Sequence, residues 1–294
     1  MLLNDYLINF FEKNTIPSFG VAGNFTGHLE QAGEARDFLK IKTDDIKAPK
    51  AIFPTYLPEI SENANITPAF LHTFPFAKDT ITFPVGEEKL QIEPECAIIF
   101  DAIWEGEKLI DLKAHCFGAS NDCSIRKEGA KKISEKKNWG NASKGFSDHL
   151  LPLDGFTSGC ILDDYRIASF LVRDKKVFAY GEDSAVRDYS YIYEQLTAWL
   201  IEKFNNQIDE GPAENIHSYL VESGCPSQIM VSIGATRYTD FGEHNFLQNG
   251  DKAVVLVYPQ SAYSKEDIVH LVENEDFDKP EISALVQEIV VTKK

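Results

Sequence analysis

Two apolar runs near the middle of the chain decide its fold: LQIEPECAIIF at residues 90–100 and LIDLKAHCFGA at residues 109–119. Both runs are rich in strand-forming residues and are bounded by Gly, Asp or Asn, so each predicts a β-strand. Similar apolar patterns predict further strands at 81–83, 159–177, 228–233 and 252–257. We therefore expect a mainly β protein whose sheet occupies the middle and the C-terminal part of the chain.

Helical patterns are confined to a few places outside these strands. Apolar residues recur at helical spacing over about 4–14, where Asn4 is a suitable N-cap, and over 190–204. The lysine-rich stretch 129–137 predicts a short helix, which is either a solvated face or a lid that attracts an anionic substrate. Residues 31–69 contain several prolines and no long periodic run, which indicates an insertion or a small subdomain within one domain spanning 1–294.

Composition disfavours several classes of partner. The chain of 294 residues carries 29 basic and 46 acidic residues, a net charge of −17, which disfavours binding to nucleic acid or to an anionic membrane surface. No apolar run is long enough for a transmembrane helix, and the N-terminus lacks the pattern of a secretory signal. Five scattered cysteines without a CxxC pair are typical of reduced thiols, so we expect a cytoplasmic protein.

Three acidic residues near the ends of the central strands are candidate metal ligands. Glu93 and Glu95 alternate in a strand, so their side chains leave the same face with Cβ atoms roughly 7 Å apart. The alternative is an ordinary solvent-facing pair, although Pro94 between them indicates a strand edge or a bulge. Asp122 follows the next strand, in an Asn-Asp pair that is also typical of a plain turn. If the three carboxylates converge, they require a hard cation such as Mg²⁺ or Mn²⁺.

Several short motifs carry a family resemblance. They are, in chain order, Gly20–His28 (GVAGNFTGH), Ile81–Pro84 (ITFP), Glu93–Glu95 (EPE), Gly118–Arg126 (GASNDCSIR), Trp139, Lys144–Ser147 (KGFS), Pro152-Leu153, Gly234–Thr236 (GAT) and Leu247–Asp251 (LQNGD). In order and spacing these motifs resemble those of the fumarylacetoacetate hydrolase family, a metal-dependent group that acts on 2-oxo acids and related diketo compounds. The Gly118–Arg126 segment is the strongest single match.

The resemblance implies a fold, an assembly and a set of site residues. The implied fold is α+β and mainly β, a mixed β-sandwich roll of the fumarylacetoacetate hydrolase C-terminal-domain type with peripheral helices, and the implied assembly is a homodimer. The implied cofactor is Mg²⁺ or Mn²⁺. The implied residues are the metal ligands Glu93, Glu95 and Asp122, the catalytic residues His28 and Lys144, and the substrate-binding residues Phe25, Arg126, Thr236 and Arg237.

Three of these residues also have ordinary structural interpretations. Without the resemblance, His28 is a turn histidine and Lys144 is a surface lysine. Arg126 either orients the substrate or forms a structural ion pair that braces Asp122.

The sequence departs from the family at positions that bear on the reaction. Hydrolytic members carry a glutamate three residues after the histidine, whereas this chain has Gln31, with Glu30 and Glu34 nearby. Gly129 and Ala235 stand where the family has a substrate-contacting glutamine and a threonine. These differences leave the type of reaction open.

The predicted function is a metal-dependent hydrolase, lyase or isomerase that acts on a small anionic 2-oxo or diketo acid. C–C hydrolysis, decarboxylation and keto-enol isomerisation all pass through an enolate, which a divalent ion stabilises. The alternative is a non-catalytic protein that binds a metal and an organic acid on the same fold.

Overall fold

The structure, a computed structural model, describes residues 3–34, 38, 45, 47–59, 66–84, 86–127 and 129–291. In chain order its strands are β1 Ser18–Ala22, β2 Ala51–Tyr56, β3 Phe76–Ala77, β4 Thr80–Phe83, β5 Leu90–Gln91, β6 Pro94–Glu105, β7 Lys108–Asn121, β8 Ser124–Ile125, β9 Lys144–Phe146, β10 Leu151–Pro152, β11 Tyr165–Arg173, β12 Lys176–Ala185, β13 Gln228–Ser232, β14 Lys252–Pro259 and β15 Ser283–Val291. The predicted strands of the middle and C-terminal regions are therefore confirmed, except that the first part of the 159–177 block is a 3₁₀ turn, Ile161–Asp164.

These strands form two large mixed sheets and one small one within the described ranges. The larger sheet has the order β2-β1-β13-β6-β7-β9-β3, with β10 added on β7, and the second sheet has the order β12-β11-β14-β15-β4. Strands β5 and β8 form a separate antiparallel pair. Both large sheets contribute to one apolar core, in which Ile98 and Phe117 belong to the same cluster as Val255 and Leu285. The α+β, mainly β fold class is confirmed.

The antiparallel hairpin of β6 and β7 positions the acidic residues. Its register pairs Glu95 with Ser120 at the open end of the hairpin. Beyond the last strand pair, the Asp122 N–H donates to the Glu93 carbonyl oxygen at 3.0 Å, and the Glu93 N–H donates to Asn121 Oδ1 at 3.1 Å. Backbone hydrogen bonding therefore places Asp122 directly beside the Glu93–Glu95 pair.

The helices are few, and the longest of them contributes Leu196, Leu200 and Phe204 to the core that both sheets share. They are α1 Leu3–Leu7, α2 His28–Gln31, α3 Tyr193–Asn206, α4 Ile216–Glu222, α5 Asp240–His244 and α6 Lys265–Glu273. Helix α3 confirms the helix predicted over 190–204. No helix in the described ranges combines the length and hydropathy needed to cross a membrane.

The N-terminal helix differs from the prediction. Helix α1 begins at Leu3, so Asn4 lies inside the helix and is not its N-cap. A π-helical turn, Ile8–Glu12, continues it. Its Phe10 ring packs edge-on against Phe146 at 5.0 Å between centroids, as part of a small aromatic core. Packing of this ring decides the winding of the segment, which the apolar spacing alone does not specify.

Two further segments also differ from their sequence patterns. The lysine-rich stretch contains only a 3₁₀ turn, Ser134–Lys136, and the prediction of a short helix there is wrong. Lys136 and Lys137 are buried, so they do not form a solvated face. Much of region 31–69 lies outside the described residues, and its strand β2 pairs with β1 in the larger sheet. A single domain with an insertion at 31–69 stays a prediction.

Candidate metal centre and active site

Glu93, Glu95 and Asp122 meet at one buried point. Each residue offers a carboxylate oxygen, and these oxygens all lie within 4.8 Å of one another. All three side chains are almost fully buried, at 2 or 3% exposure. Carboxylate oxygens in this number are the ligands that Mg²⁺ and Mn²⁺ prefer, so the donor set fits either ion. We call these three residues the carboxylate cluster.

Glu95 is the member of the cluster that most needs a cation. Burial raises its pKa well above the usual range, and the neighbouring Asp122 and Glu93 charges raise it further. Its Oε2 accepts a hydrogen bond from the Gly234 N–H at 2.7 Å, at the end of β13. A bound cation would stabilise the ionised carboxylate, which supports the fit of a divalent ion to this site.

A buried lysine, Lys137, lies between two members of the cluster. Its Nζ is 2.5 Å from Glu93 Oε2 and 2.6 Å from Asp122 Oδ2. Burial lowers the pKa of this ammonium, but the Asp122 and Glu93 charges outweigh that effect and raise it overall. Lys137 is therefore charged, and it already neutralises part of the cluster.

A second buried lysine, Lys144, contacts the opposite oxygen of Asp122. Its Nζ is 2.9 Å from Asp122 Oδ1, and it also donates to the Cys123 carbonyl oxygen. Burial lowers the pKa of Lys144 by more than Asp122 raises it. The Nζ lies 5.6 Å from the centre of the Trp139 ring. Lys144 is thus a core residue and not a surface lysine.

Arg126 forms an ion pair with Glu93 and not with Asp122, the partner that the sequence predicted. Its Nη2 lies 2.6 Å from Glu93 Oε1 and donates to the Tyr238 hydroxyl at 2.7 Å. Its Nε donates to Gln91 Oε1 at 2.6 Å, and its Nη1 lies 2.9 Å from Glu34 Oε1. Burial raises the pKa of Glu93, but Lys137 and Arg126 reverse this and hold it below the usual range. Every guanidinium nitrogen of Arg126 is engaged.

Glu34 forms the outer end of this charge network. Besides Arg126, it accepts from Lys136 Nζ at 2.9 Å, and the carboxylate is buried. It lies near the position of the missing family glutamate, but both of its cationic neighbours hold it in a structural ion pair. Glu34 is thus engaged in the same way as Glu93.

Gln31 occupies the position of that glutamate and makes backbone contacts. Its Oε1 accepts from the Tyr238 N–H at 2.9 Å, and its Nε2 donates to the Tyr238 carbonyl oxygen at 3.1 Å. An amide that is bonded at both ends and cannot take up a proton does not activate water. The segment around Tyr238 is instead fixed to helix α2.

His28 lies at the start of α2, in the same buried region. Its side chain is buried, and its ring packs against that of Tyr238 with 5.3 Å between centroids. Burial lowers the pKa of His28, with a smaller opposing effect of the Glu93 charge, so the imidazole is neutral. Within the described ranges its Nδ1 has no hydrogen-bond partner. A neutral, unpartnered ring nitrogen is able to accept a proton.

The three other predicted substrate-binding residues lie in different settings. Thr236 is fully buried, its N–H donates to the Pro94 carbonyl oxygen at 3.2 Å, and its hydroxyl has no partner among the described residues. Phe25 packs edge-on against Tyr189, with 5.5 Å between ring centroids. The Arg237 side chain is half-exposed, and its Nη2 lies 3.7 Å from Glu182. Thr236 is thus tied to the strand that carries Glu95, whereas Arg237 faces outward.

A cleft of about 600 Å³ opens beside this network. Its charged lining consists of Lys89, Arg126, Lys127 and Lys136 with Glu34 and Glu243, so positive charges are in excess there. Gly129 also lines it, at the position of the family glutamine. Because Arg126 both lines the cleft and contacts Glu93, it lies between the cleft and the carboxylate cluster.

Lys137 and Tyr238 were not predicted as site residues, and Glu34 was noted only as a neighbour of Gln31. Lys137 was assigned to a basic stretch, and no motif distinguishes it from the exposed Lys131 six residues earlier. The only signal was the balance of charges. Buried carboxylates need positively charged partners, and Lys137 lies fifteen residues after Asp122. Its burial depends on contacts with distant parts of the chain.

The family comparison identifies the chain by its sequence. Residues 34–289 match the model of a family of unknown function, DUF5718. The chain therefore belongs to that family. No curated protein matches the sequence.

Several solved structures share the fold at low sequence identity. A hexagonal crystal form of 2-keto-3-deoxyarabinonate dehydratase has a TM-score of 0.55 and 14% identity, and the match covers 95% of this chain and 75% of that chain. The 2-keto-3-deoxy-D-arabinonate dehydratase complexed with magnesium and 2,5-dioxopentanoate has a TM-score of 0.53 and 13% identity, with 95% and 74% coverage. The structure of Cg1458 with an inhibitor has a TM-score of 0.51 and 12% identity, with 94% and 77% coverage.

These similarities establish the architecture. The chain has the mainly β fold of the fumarylacetoacetate hydrolase C-terminal-domain type, as the sequence motifs indicated. At this level of identity the likeness concerns the fold alone, and the chemistry has to be argued from the site.

Proposed function

We propose that this protein is an enzyme that acts on a small 2-oxo or diketo acid through an enolate, with Mg²⁺ or Mn²⁺ as its cofactor. Glu93, Glu95 and Asp122 would hold the ion. When bound, such an ion supplies Lewis-acid stabilisation of negative charge on the substrate oxygen atoms. The observation that carries the proposal is the burial of three converging carboxylates beside Lys144.

Lys144 and His28 have settings that suit two different catalytic roles. Lys144 is fixed against Asp122 and would hold the developing oxyanion of the substrate as a point charge. His28 is neutral and its Nδ1 has no partner among the described residues, so it would take up a proton from the substrate. The buried Thr236 hydroxyl, which also lacks a partner in the described ranges, would bind the substrate carboxylate, with Phe25 and Arg237 nearby as further substrate contacts.

Arg126 suits a positioning role. Its guanidinium holds Glu93 and Glu34 in place and lines the cleft on its other side. A direct contact between Arg126 and the substrate stays a prediction. In the proposed enzyme it would fix the orientation of a metal ligand, as outer partners of metal ligands commonly do.

Gln31 favours decarboxylation or isomerisation over C–C hydrolysis. Hydrolysis needs a group that activates water, and both polar atoms of this amide are bonded to the Tyr238 backbone. Proton transfer by His28 alone is sufficient for isomerisation of an enolate or for its protonation after loss of carbon dioxide. The 2-keto-3-deoxy-D-arabinonate dehydratase that shares this fold was solved in complex with magnesium and 2,5-dioxopentanoate, which supports the proposed cofactor and class of substrate.

Calorimetry on metal-stripped protein tests the metal site. Mg²⁺ and Mn²⁺ are titrated first, and the titration is repeated with oxalate, a planar mimic of a 2-oxo enolate. We expect oxalate to tighten metal binding and Glu95→Gln to abolish it, because this substitution removes a ligand charge. Oxaloacetate and acylpyruvates are assayed in parallel. If Glu95→Gln binds either ion as well as the wild type does, the ligand assignment is wrong.

The alternative is a protein that binds a metal and an organic acid without turning it over. Gln31, Gly129 and Ala235, at positions where the fumarylacetoacetate hydrolase family has functional side chains, favour this alternative. Lys144→Ala separates the two. In an enzyme it lowers turnover at least about 100-fold while metal binding is retained. In a binding protein it only weakens affinity for the acid, and no turnover exists to lose.

We also propose a homodimer and a cytoplasmic location. The first rests on the resemblance to the fumarylacetoacetate hydrolase family and the second on the free cysteines, of which four are buried. Light scattering coupled to size-exclusion chromatography tests the dimer, and cell fractionation tests the location. A monomeric mass or recovery outside the cytoplasm would contradict the respective proposal.

A further inference from the structure

Every oxygen of Glu93 and Asp122 already faces a cationic nitrogen. Arg126 contacts Glu93 Oε1 at 2.6 Å, and Lys144 contacts Asp122 Oδ1 at 2.9 Å. Lys137 Nζ takes the two remaining oxygens, at 2.5 and 2.6 Å. Lys137 is thus the only one of these three cations that contacts both carboxylates, and it lies between them.

A divalent ion bound by the same oxygens would occupy the volume that Lys137 Nζ now fills. Mg²⁺ binds carboxylate oxygens at roughly 2.0–2.1 Å, which is shorter than the two Lys137 contacts. An ion at that distance from both oxygens would lie in van der Waals overlap with the ammonium and would repel it in a buried site. An ion that takes Glu93 Oε2 and Asp122 Oδ2 therefore excludes Lys137 Nζ from its present position. Lys144 and Arg126, in contrast, approach from the outer oxygens.

Side-chain hydrogen bonds on both sides of Lys137 connect its backbone to distant parts of the chain. The next residue, Asn138, donates through Nδ2 to the carbonyl oxygens of Thr55 at 2.9 Å and Thr73 at 3.0 Å. Ser134 at the start of the preceding turn donates to Glu214 at 3.0 Å. The side chain reaches past the Phe53 ring, which lies 5.2 Å from Nζ. The four-carbon stem lets Nζ reach the cluster from this turn, and the two ion pairs hold it there.

We infer that the Lys137 ammonium is a resident cation of the carboxylate cluster that competes with the divalent ion for Glu93 and Asp122. This inference rests on the proposed function, because it concerns the metal site of the proposed enzyme. Metal binding then requires Lys137 to withdraw, and the apparent affinity is reduced by the fraction of molecules in which it has withdrawn. The cluster is neutralised without metal and becomes a metal site only when the ion displaces the lysine.

The test is a calorimetric titration of Mn²⁺ into wild-type protein and three variants. Lys137→Met removes the competing charge while keeping an unbranched side chain, and we expect Mn²⁺ to bind at least about tenfold more tightly. Lys137→Arg keeps the charge and should show no gain. Lys136→Met is the matched control, since it removes one positive charge from the adjacent residue, which pairs with Glu34 and not with the cluster. It should change the affinity by less than about threefold.

The outcomes distinguish this inference from the proposed function. If wild type and Lys137→Met bind Mn²⁺ equally, or if Lys136→Met gains as much as Lys137→Met, the competition is refuted while the metal site stands. If neither wild type nor Lys137→Met binds Mn²⁺, the metal site itself is refuted, and the inference is refuted with it.

A crystallographic measurement on the wild type covers the case in which Lys137→Met does not fold. Crystals grown at saturating Mn²⁺ should show an anomalous peak at the cluster and the Lys137 side chain turned away from Glu93 and Asp122. A peak beside an unmoved Nζ would overturn the inference. A cluster without any peak would overturn it together with the ligand assignment.

Discussion

Replacement of Arg126 by methionine should destabilise the protein by about 3 kcal/mol, because removing one partner of a buried ion pair costs roughly 3–5 kcal/mol. The guanidinium is 10% exposed and contacts two carboxylates, at 2.6 Å for Glu93 and 2.9 Å for Glu34. Lys137 and Lys136 still neutralise these carboxylates in the variant, which places the loss at the lower end of the range.

Urea denaturation followed by circular dichroism measures this loss as a change in the free energy of unfolding. Lys279→Met is the control, since its ion pair with Asp276 is solvent-exposed and should contribute less than about 1 kcal/mol. Arg126→Lys should fall between the two, because a lysine keeps the charge but lacks the planar fork that reaches both carboxylates. If Arg126→Met loses no more than Lys279→Met, Arg126 does not hold the network together.

Two further substitutions test other features of the site region. Burial raises the pKa of Glu214 to about 7, so the folded protein binds a proton that the unfolded chain releases near its usual pKa of 4.5. The free energy of unfolding should therefore fall as the pH rises from about 5 to about 8, and Glu214→Gln should reduce this fall. Urea titrations at both pH values measure the free energy of unfolding of the wild type and the variant. If the fall is the same in both, Glu214 is not its source. Gly234 has a φ of +124°, and an added Cβ would lie 3.0 Å from the Asn24 Cβ. Gly234→Ala should lower the free energy of unfolding by roughly 1–3 kcal/mol and weaken Mn²⁺ binding, because it displaces the N–H that binds Glu95. Gly250 also has a positive φ but has open space around it, so Gly250→Ala is the control and should leave the calorimetric Mn²⁺ affinity unchanged. Equal Mn²⁺ affinity in the two variants would contradict this role of Gly234.

The parts of the site that lie on local structure could be predicted from the sequence. Strand alternation predicted that Glu93 and Glu95 share one face, and the family resemblance added Asp122 as a third ligand. Their convergence is seen only in the structure, where Glu93 immediately precedes β6 and its backbone pairs with Asn121 and Asp122. Short-range pattern thus predicted the residues, whereas the register of the β6–β7 hairpin brings them together.

The cationic side of the site could not be predicted in the same way. Lys137 is buried because Asn138 binds carbonyl oxygens 83 and 65 residues away in the chain, and these contacts leave no local signature. The 3₁₀ turn before it replaces the expected helix for the same reason. Arg126 was predicted in part. A structural ion pair was one of its two interpretations, but the partner is Glu93, and only the three-dimensional arrangement reveals this.

The hairpin of β6 and β7 separates two tasks that many sites combine. The charge-bearing carboxylates are connected by backbone hydrogen bonds at one end of this hairpin, whereas His28 belongs to a short helix. In the proposed enzyme, mutational drift in that helix can therefore alter the chemistry beside the cluster while the hairpin continues to present the same three oxygens. The loop after β13 lacks this independence, because its Gly234 and Thr236 N–H groups bind Glu95 and Pro94.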